Sequence, residues 1–229
     1  MADPNRALFE SVVQLLAPVL DELVFVGGCT TGLFITDPAA GGIRPTKDVD
    51  AIVDVTSYAQ YAALSERLRA LGLAEDTTPG APLCRWRQRN LIVDVMPTDV
   101  SVLGFSNRWY PTAIETAQRF DVAGYQVQVV TPALFIATKL EAFHGRGGGD
   151  VVASHDLEDI VAVLDGRPEI VADVASASDD VRQYIGAEVQ SLLDNPDFVE
   201  ALGGFLLPDA ASQARRGVLT ERLRRLATV

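Results

Sequence analysis

Cysteine, lysine and histidine are all scarce in these 229 residues: the sequence holds Cys29 and Cys84, Lys47 and Lys139, His144 and His155, and no others of those types. One cysteine pair without C-x-x-C spacing excludes a disulfide scaffold and a thiolate zinc site, and it fits a reducing cytoplasm. Two histidines without a cysteine partner make a poor zinc site and suit capping or surface roles. No apolar run approaches the roughly 20 residues that span a bilayer. The opening MADPNRALFE carries acids where a secretory leader carries lysine or arginine, so the expectation is a protein neither secreted nor membrane-embedded. Positive charge is short as well. With 31 acids against 19 bases the net charge is -12, which repels phosphate backbones and anionic lipid and excludes a general nucleic-acid coat protein.

What is present is an ordinary globular composition, 48% hydrophobic and 22% charged, long enough for one large or two small domains with a real core. The charge deficit is local. Between Asp150 and Asp209 fourteen acids face only Arg167 and Arg182, while after Ala210 five arginines (Arg215, Arg216, Arg222, Arg224, Arg225) stand against Glu221 alone. A solvated helix face with a charged terminus has this pattern, and so does an anion-contacting tail.

Apolar spacing divides the chain into an α/β part and an all-α part. Leu8, Val12, Leu15, Leu16, Val19 and Leu20 recur as on an amphipathic helix. Leu23 to Val26 reads as a buried strand that turns at Gly27-Gly28 into a short helix from Thr30 to Ile35. Asp48 to Val55 alternates acid and apolar as a half-buried strand, and Ser57 caps a helix reaching about Leu71. Leu83 to Gln88 and Leu91 to Met96, separated by Arg89-Asn90, form a hairpin, and Tyr125 to Val130 is a further strand. From Thr131, with Pro132 in the first turn, everything is helical, interrupted by Gly145 to Gly149 as a mobile connection and restarted by a Ser154 cap. The expected organisation is α+β: an α/β unit with a small mixed sheet over 1–130, then a helical bundle over 131–229 that completes the active site.

Three short segments carry the chemistry. On a strand, residues two apart share a face, so Asp48 and Asp50 present carboxylates about 6.5–7 Å apart along the backbone. Such oxygens suit Mg²⁺, and a third acid from a neighbouring strand completes a two-metal set. Asp94, in the apolar run LIVDVMP, is that acid, because an unpaired carboxylate there is costly to bury. Gly27-Gly28 ahead of a helix start offers open N–H groups and a positive dipole end to phosphates, a cradle extending over Cys29 and Thr30. An acidic strand alone also produces D-x-D by chance; the ordered set of GG, D-x-D and VD is what argues for a site.

That ordered set, over residues 23–97, resembles the nucleotidyltransferase superfamily of the DNA polymerase beta type. A second block, TKLEAF at 138–143, Arg146, and HDLEDI at 155–160, looks like the last two motifs of the AbiEii/MenT-like toxin nucleotidyltransferases. The resemblance implies Lys139 as a contact to nucleotide phosphates and Asp156 as the final active-site acid, with Asp159 one turn on as the alternate. A cation that offsets phosphoryl charge is sound chemistry. For Asp156 the helix dipole alone also accounts for a first-turn acid. The chain departs from the family at Cys29, where many members have serine, so Thr30, Thr31 or backbone N–H groups must supply the phosphate contact.

The implied protein is a cytoplasmic Mg²⁺-dependent enzyme that moves NMP from an NTP to an acceptor hydroxyl. By resemblance the acceptor is the tRNA 3′ end and the role that of a toxin with a cognate antitoxin. RNA contact would be confined to Arg85, Arg87 and Arg89 on the hairpin, with Trp86 stacking on a base, and to the arginine-rich C-terminus. Two rivals remain open: transfer to a small aminoglycoside-type molecule drawn by the acidic segment, and a catalytically silent fold acting as a binding protein or antitoxin.

Overall fold

The computed structural model describes residues 3–145 and 150–229. The fold is α+β, and among these residues seven strands form one mixed sheet: β1 (Leu23–Val26), β2 (Val49–Val53), β3 (Ala74–Glu75), β4 (Arg85–Gln88), β5 (Leu91–Pro97), β6 (Gln118–Val122) and β7 (Tyr125–Val129). Their order is β3-β4-β5-β2-β1-β7-β6. The chain divides into two compact units, a sheet unit of Pro4–Thr30 and Pro45–Thr131 and a helical unit of Thr31–Arg44 and Pro132–Val229 that also takes in Asp3.

In the sheet unit, β1 pairs antiparallel with β2 and parallel with β7, and β2 pairs parallel with β5. β2 is therefore central. Val49, Ala51, Ile52 and Val53 are all buried, so the half-buried alternation expected of this strand reduces to Asp50, which is partly exposed. The β4–β5 hairpin turns where the sequence places it, at Arg89-Asn90, with Arg89 in the left-handed region at φ 54°. The first helix stops earlier than its apolar spacing implies. It runs Arg6–Leu15, and Pro18 follows in a 3-10 turn, Ala17–Glu22, because proline lacks the N–H that would continue the ladder. Ser57 caps the helix Tyr58–Ala70 by accepting from the Gln60 N–H. The strand β6 pairs with β7 and has no counterpart in the sequence reading.

In the helical unit, the helix Pro132–Gly145 is buried over Pro132–Leu140, and its one charged residue in that stretch is Lys139. A helix apolar all round sits inside a bundle. It is wrapped by the helices His155–Gly166, Ile170–Ala175 and Asp179–Asp194. Each fully buried Leu or Phe there contributes about 1.5–3 kcal/mol of transfer free energy. Ser154 caps its helix by accepting from the Leu157 N–H. The segment Thr31–Arg44, which the sequence reading grouped with the strands, clusters with the helices. Phe34 meets Phe135 edge-on at 5.2 Å, and the N–H groups of Thr36 and Asp37 donate to the Gly166 carbonyl at 2.9 and 3.0 Å. Of the expected connection Gly145 to Gly149, only Gly145, the end of its helix, is among the described residues; Arg146 is not.

Candidate active site

The sheet unit assembles a row of charged side chains by strand register. Asp50 on β2 is the direct partner of Asp94 on β5, and Asp94 is the direct partner of Arg85 on β4. Directly paired residues point to the same face, so two acids and a cation stand side by side across three strands. Asp48, two residues before Asp50, reaches the same place. The Arg85 guanidinium grips Asp94 with both arms, Nε to Oδ1 at 2.8 Å and Nη2 to Oδ2 at 2.7 Å, and the same Nη2 donates to Asp48 Oδ2 at 2.8 Å. The hydrogen bond to Asp94, above all, holds Arg85 even more firmly protonated than usual.

Asp48 is also fixed from its other side. The Thr46 hydroxyl donates to Asp48 Oδ1 at 2.9 Å, which gives the threonine of T-x-D a physical role. The Thr46 N–H in turn donates to Asn5 Oδ1 at 2.8 Å, and Asn5 Nδ2 donates to the Gly28 carbonyl at 3.4 Å. Asn5 stands at the N-cap of its helix yet makes no capping bond there. Its buried amide instead ties the glycine turn to the D-x-D segment. The sequence reading missed Asn5, and an asparagine ahead of a helix gives no signal beyond capping.

The glycine turn is built against an acid. Gly27 has φ 74°, and a Cβ there would lie 2.0 Å from Asp50 Oδ2. Only glycine fits both conditions. Beyond the turn, Cys29 is buried and its thiol donates to the Val26 carbonyl at 3.4 Å, an arrangement with nothing of a nucleophile about it. The Thr30 hydroxyl donates to the Gly27 carbonyl at 2.9 Å and is engaged in closing the turn. Thr31 Oγ1 is buried without a hydrogen-bond partner among the described residues.

The helical unit holds the second cluster. Lys139 Nζ donates to Asp156 Oδ1 at 3.0 Å and to Asp159 Oδ2 at 2.7 Å, and all three residues are buried. Arg44 Nη2 reaches the same Asp159 oxygen at 3.0 Å. The two acids offered as alternatives by the sequence thus act together. Arg44, which sequence reading passed over, is the second cation on them.

The expected RNA patches are largely committed within the protein. Arg85 is bound as described, Arg87 pairs with Asp76, and Trp86 is buried at 1% exposure, so it packs in the core and offers no face to a base. Arg215 bridges Asp165 and Asp37 at 2.7 Å each, and Arg222 donates to the carbonyls of Leu164 and Asp165. Arg224 and Arg225 are exposed. His144 and His155 sit on the surface, each against a glutamate, Glu188 and Glu158.

Among the described residues no three carboxylate, imidazole or thiolate side chains form a ready-made metal cluster. The chemistry of the acid row nevertheless suits a hard cation. Asp48, expected on the strand but lying just ahead of β2, and Asp94, on β5, each aim an oxygen at one point, which in this structure is the positive Nη2 of Arg85.

A solved structure described as an antigenic nucleotidyltransferase-like protein from Paracoccidioides brasiliensis is similar to this chain, with 20% identity over 86% of this chain and 92% of that one and a TM-score of 0.50. Another, provisionally described as a nucleotidyltransferase from H. pylori, is 13% identical over 98% of this chain and 90% of that one, with a TM-score of 0.46. No family model matches the sequence, and no curated protein does. The chain therefore has a nucleotidyltransferase-like fold, shown by the first likeness; the second is too distant to add to it.

Proposed function

We propose that the protein is a Mg²⁺-dependent nucleotidyltransferase that moves NMP from an NTP to an acceptor hydroxyl. The observation that carries this reading is the register of Asp50 with Asp94 on neighbouring parallel strands, with Asp48 and Asp94 converging on one cationic nitrogen. Asp48, Asp50 and Asp94 would hold Mg²⁺. Bound there, Mg²⁺ would offset charge on the phosphates and ease deprotonation of the acceptor hydroxyl.

The chain's own residues do the rest. The Gly27-Gly28 turn presents backbone to the phosphates, and Asp94 accepts the proton from the attacking hydroxyl as the new oxygen–phosphorus bond forms and pyrophosphate leaves. Lys139 supplies positive charge to phosphate oxygens in exchange for its bonds to Asp156 and Asp159. The acceptor we put first is the 3′ end of tRNA, in a toxin role opposed by an antitoxin, on the resemblance of the 138–143 and 155–160 motifs. A small cationic acceptor is the second reading. It is favoured by the commitment of Arg85, Arg87 and Arg215 to internal carboxylates, beside exposed acids such as Asp179 and Asp180.

Incubation of the protein with each α-³²P-labelled NTP, Mg²⁺ and either total tRNA or an aminoglycoside panel tests both. Label appearing on tRNA supports the first acceptor and label on an aminoglycoside the second. Absence of label on any acceptor, from folded protein, refutes the activity.

A further inference from the structure

Arg85 stands where a cation serving Asp48 and Asp94 belongs. Its Nη2 lies 2.8 Å from one carboxylate oxygen and 2.7 Å from the other, while its Nε holds the remaining oxygen of Asp94 at 2.8 Å. Mg²⁺ demands oxygen ligands at about 2.0–2.1 Å in near-octahedral geometry. An ion shared by those two oxygens would fall within contact distance of Nη2, and the two positive charges would repel in a partly dehydrated place. The guanidinium and a metal bridging this pair would compete for the same two oxygens.

We propose that Arg85 is a built-in counter-cation that occupies the acid row until a divalent metal arrives, and that metal loading requires its guanidinium to leave Asp48 and Asp94. This rests on the nucleotidyltransferase reading of the row and adds to it a competing ligand from within the chain. Three features favour displacement over a permanent structural lock. The side chains of Arg85 and Asp48 keep 20% and 29% exposure, so the pair borders solvent. Arg85 sits on β4, whose outer neighbour in the sheet is the edge strand β3 of only two residues. Without a cation, Asp48 and Asp94 would face each other as like charges, so Arg85 stabilises the row at rest at the expense of metal affinity.

The test is Mn²⁺ binding to the full chain without nucleotide, read by loss of the free-ion electron paramagnetic resonance signal, for wild type, Arg85→Ala, Arg85→Lys and Arg87→Ala. If the Arg85-bound state holds nine molecules in ten or more, removing the competitor tightens apparent binding by about tenfold or more. Arg85→Lys, which cannot fork over both carboxylates, should bind more tightly than wild type as well. Arg87→Ala removes a charge from the same strand and should change binding less than about threefold, since exposed charges are screened. Should Arg85→Ala prove unfolded in the absence of metal, Arg85→Lys carries the comparison. Variants that bind Mn²⁺ no more tightly than wild type overturn the role of Arg85 while leaving the site's function standing. Failure of wild type and variants alike to bind any Mn²⁺ overturns both.

Discussion

The carboxylate of Asp50 lies in the space a side chain on residue 27 would need: a Cβ at Gly27 would stand 2.0 Å from Asp50 Oδ2. Gly27 also has φ 74°, so alanine there meets backbone strain and a collision together. Gly80 has φ 86° with nothing within 4 Å of its would-be Cβ, and it isolates the first effect. Gly80→Ala should lose about 1–2 kcal/mol, and Gly27→Ala clearly more, with Asp50 pushed from its place. Denaturant midpoints of the two variants make the comparison, and equal losses would mean that the carboxylate yields freely.

Lys139 bridges two buried carboxylates, Asp156 and Asp159 being 3% and 1% exposed. Removing it takes a buried positive charge from both acids and leaves Arg44 as a cation on Asp159. Lys139→Ala should therefore destabilise the protein by about 3–5 kcal/mol. In the fraction that remains folded, nucleotidyl transfer should fall by about 10²–10³. Lys47, exposed beside Asp48, is the matched control, and Lys47→Ala should leave both stability and transfer near wild type. Similar losses from the two variants, measured by unfolding and by label transfer, would contradict the role given to Lys139.

Asp76 receives the Thr78 hydroxyl at 2.6 Å and pairs with Arg87. These partners lower its pKa from the ordinary 3.8 to about 2. The unfolded chain takes up the proton first as pH falls, so the stabilisation is fully present above pH 4 and is lost on acidification toward about pH 2. Asp76→Asn should flatten that part of the stability profile, measured by urea unfolding between pH 4.5 and about 2. An unchanged slope would show that the contacts of Asp76 with Thr78 and Arg87 do not persist in solution.

Most of the strands and the acid row were legible in the sequence because they rest on local rules. Alternation and a two-residue turn locate β4 and β5, and a D-x-D with a later V-D in an apolar run can only be reconciled with burial if the acids have partners. What those partners are is a matter of register. Nothing in R-W-R-Q distinguishes Arg85, aimed at Asp94, from Arg87, aimed at Asp76, although its alternation sets Trp86 on the opposite face, where the structure buries it. The bridging amide of Asn5 and the sharing of one Asp159 oxygen by Lys139 and Arg44 join residues 20 to 115 positions apart. The grouping of Thr31–Arg44 with the helices escaped the sequence for the same reason, since its contacts are to Phe135 and Gly166.

Whether the acid row catalyses NMP transfer is decided by Asp50→Asn, which removes a charge and keeps the volume. The measurement is pyrophosphate release coupled to transfer of α-labelled NMP in Mg²⁺, on wild type and on an Asp50→Asn variant whose unfolding transition shows it folded. Wild type should transfer NMP, and the variant should lose at least about 10² of that activity. Near wild-type turnover by the folded variant would contradict it.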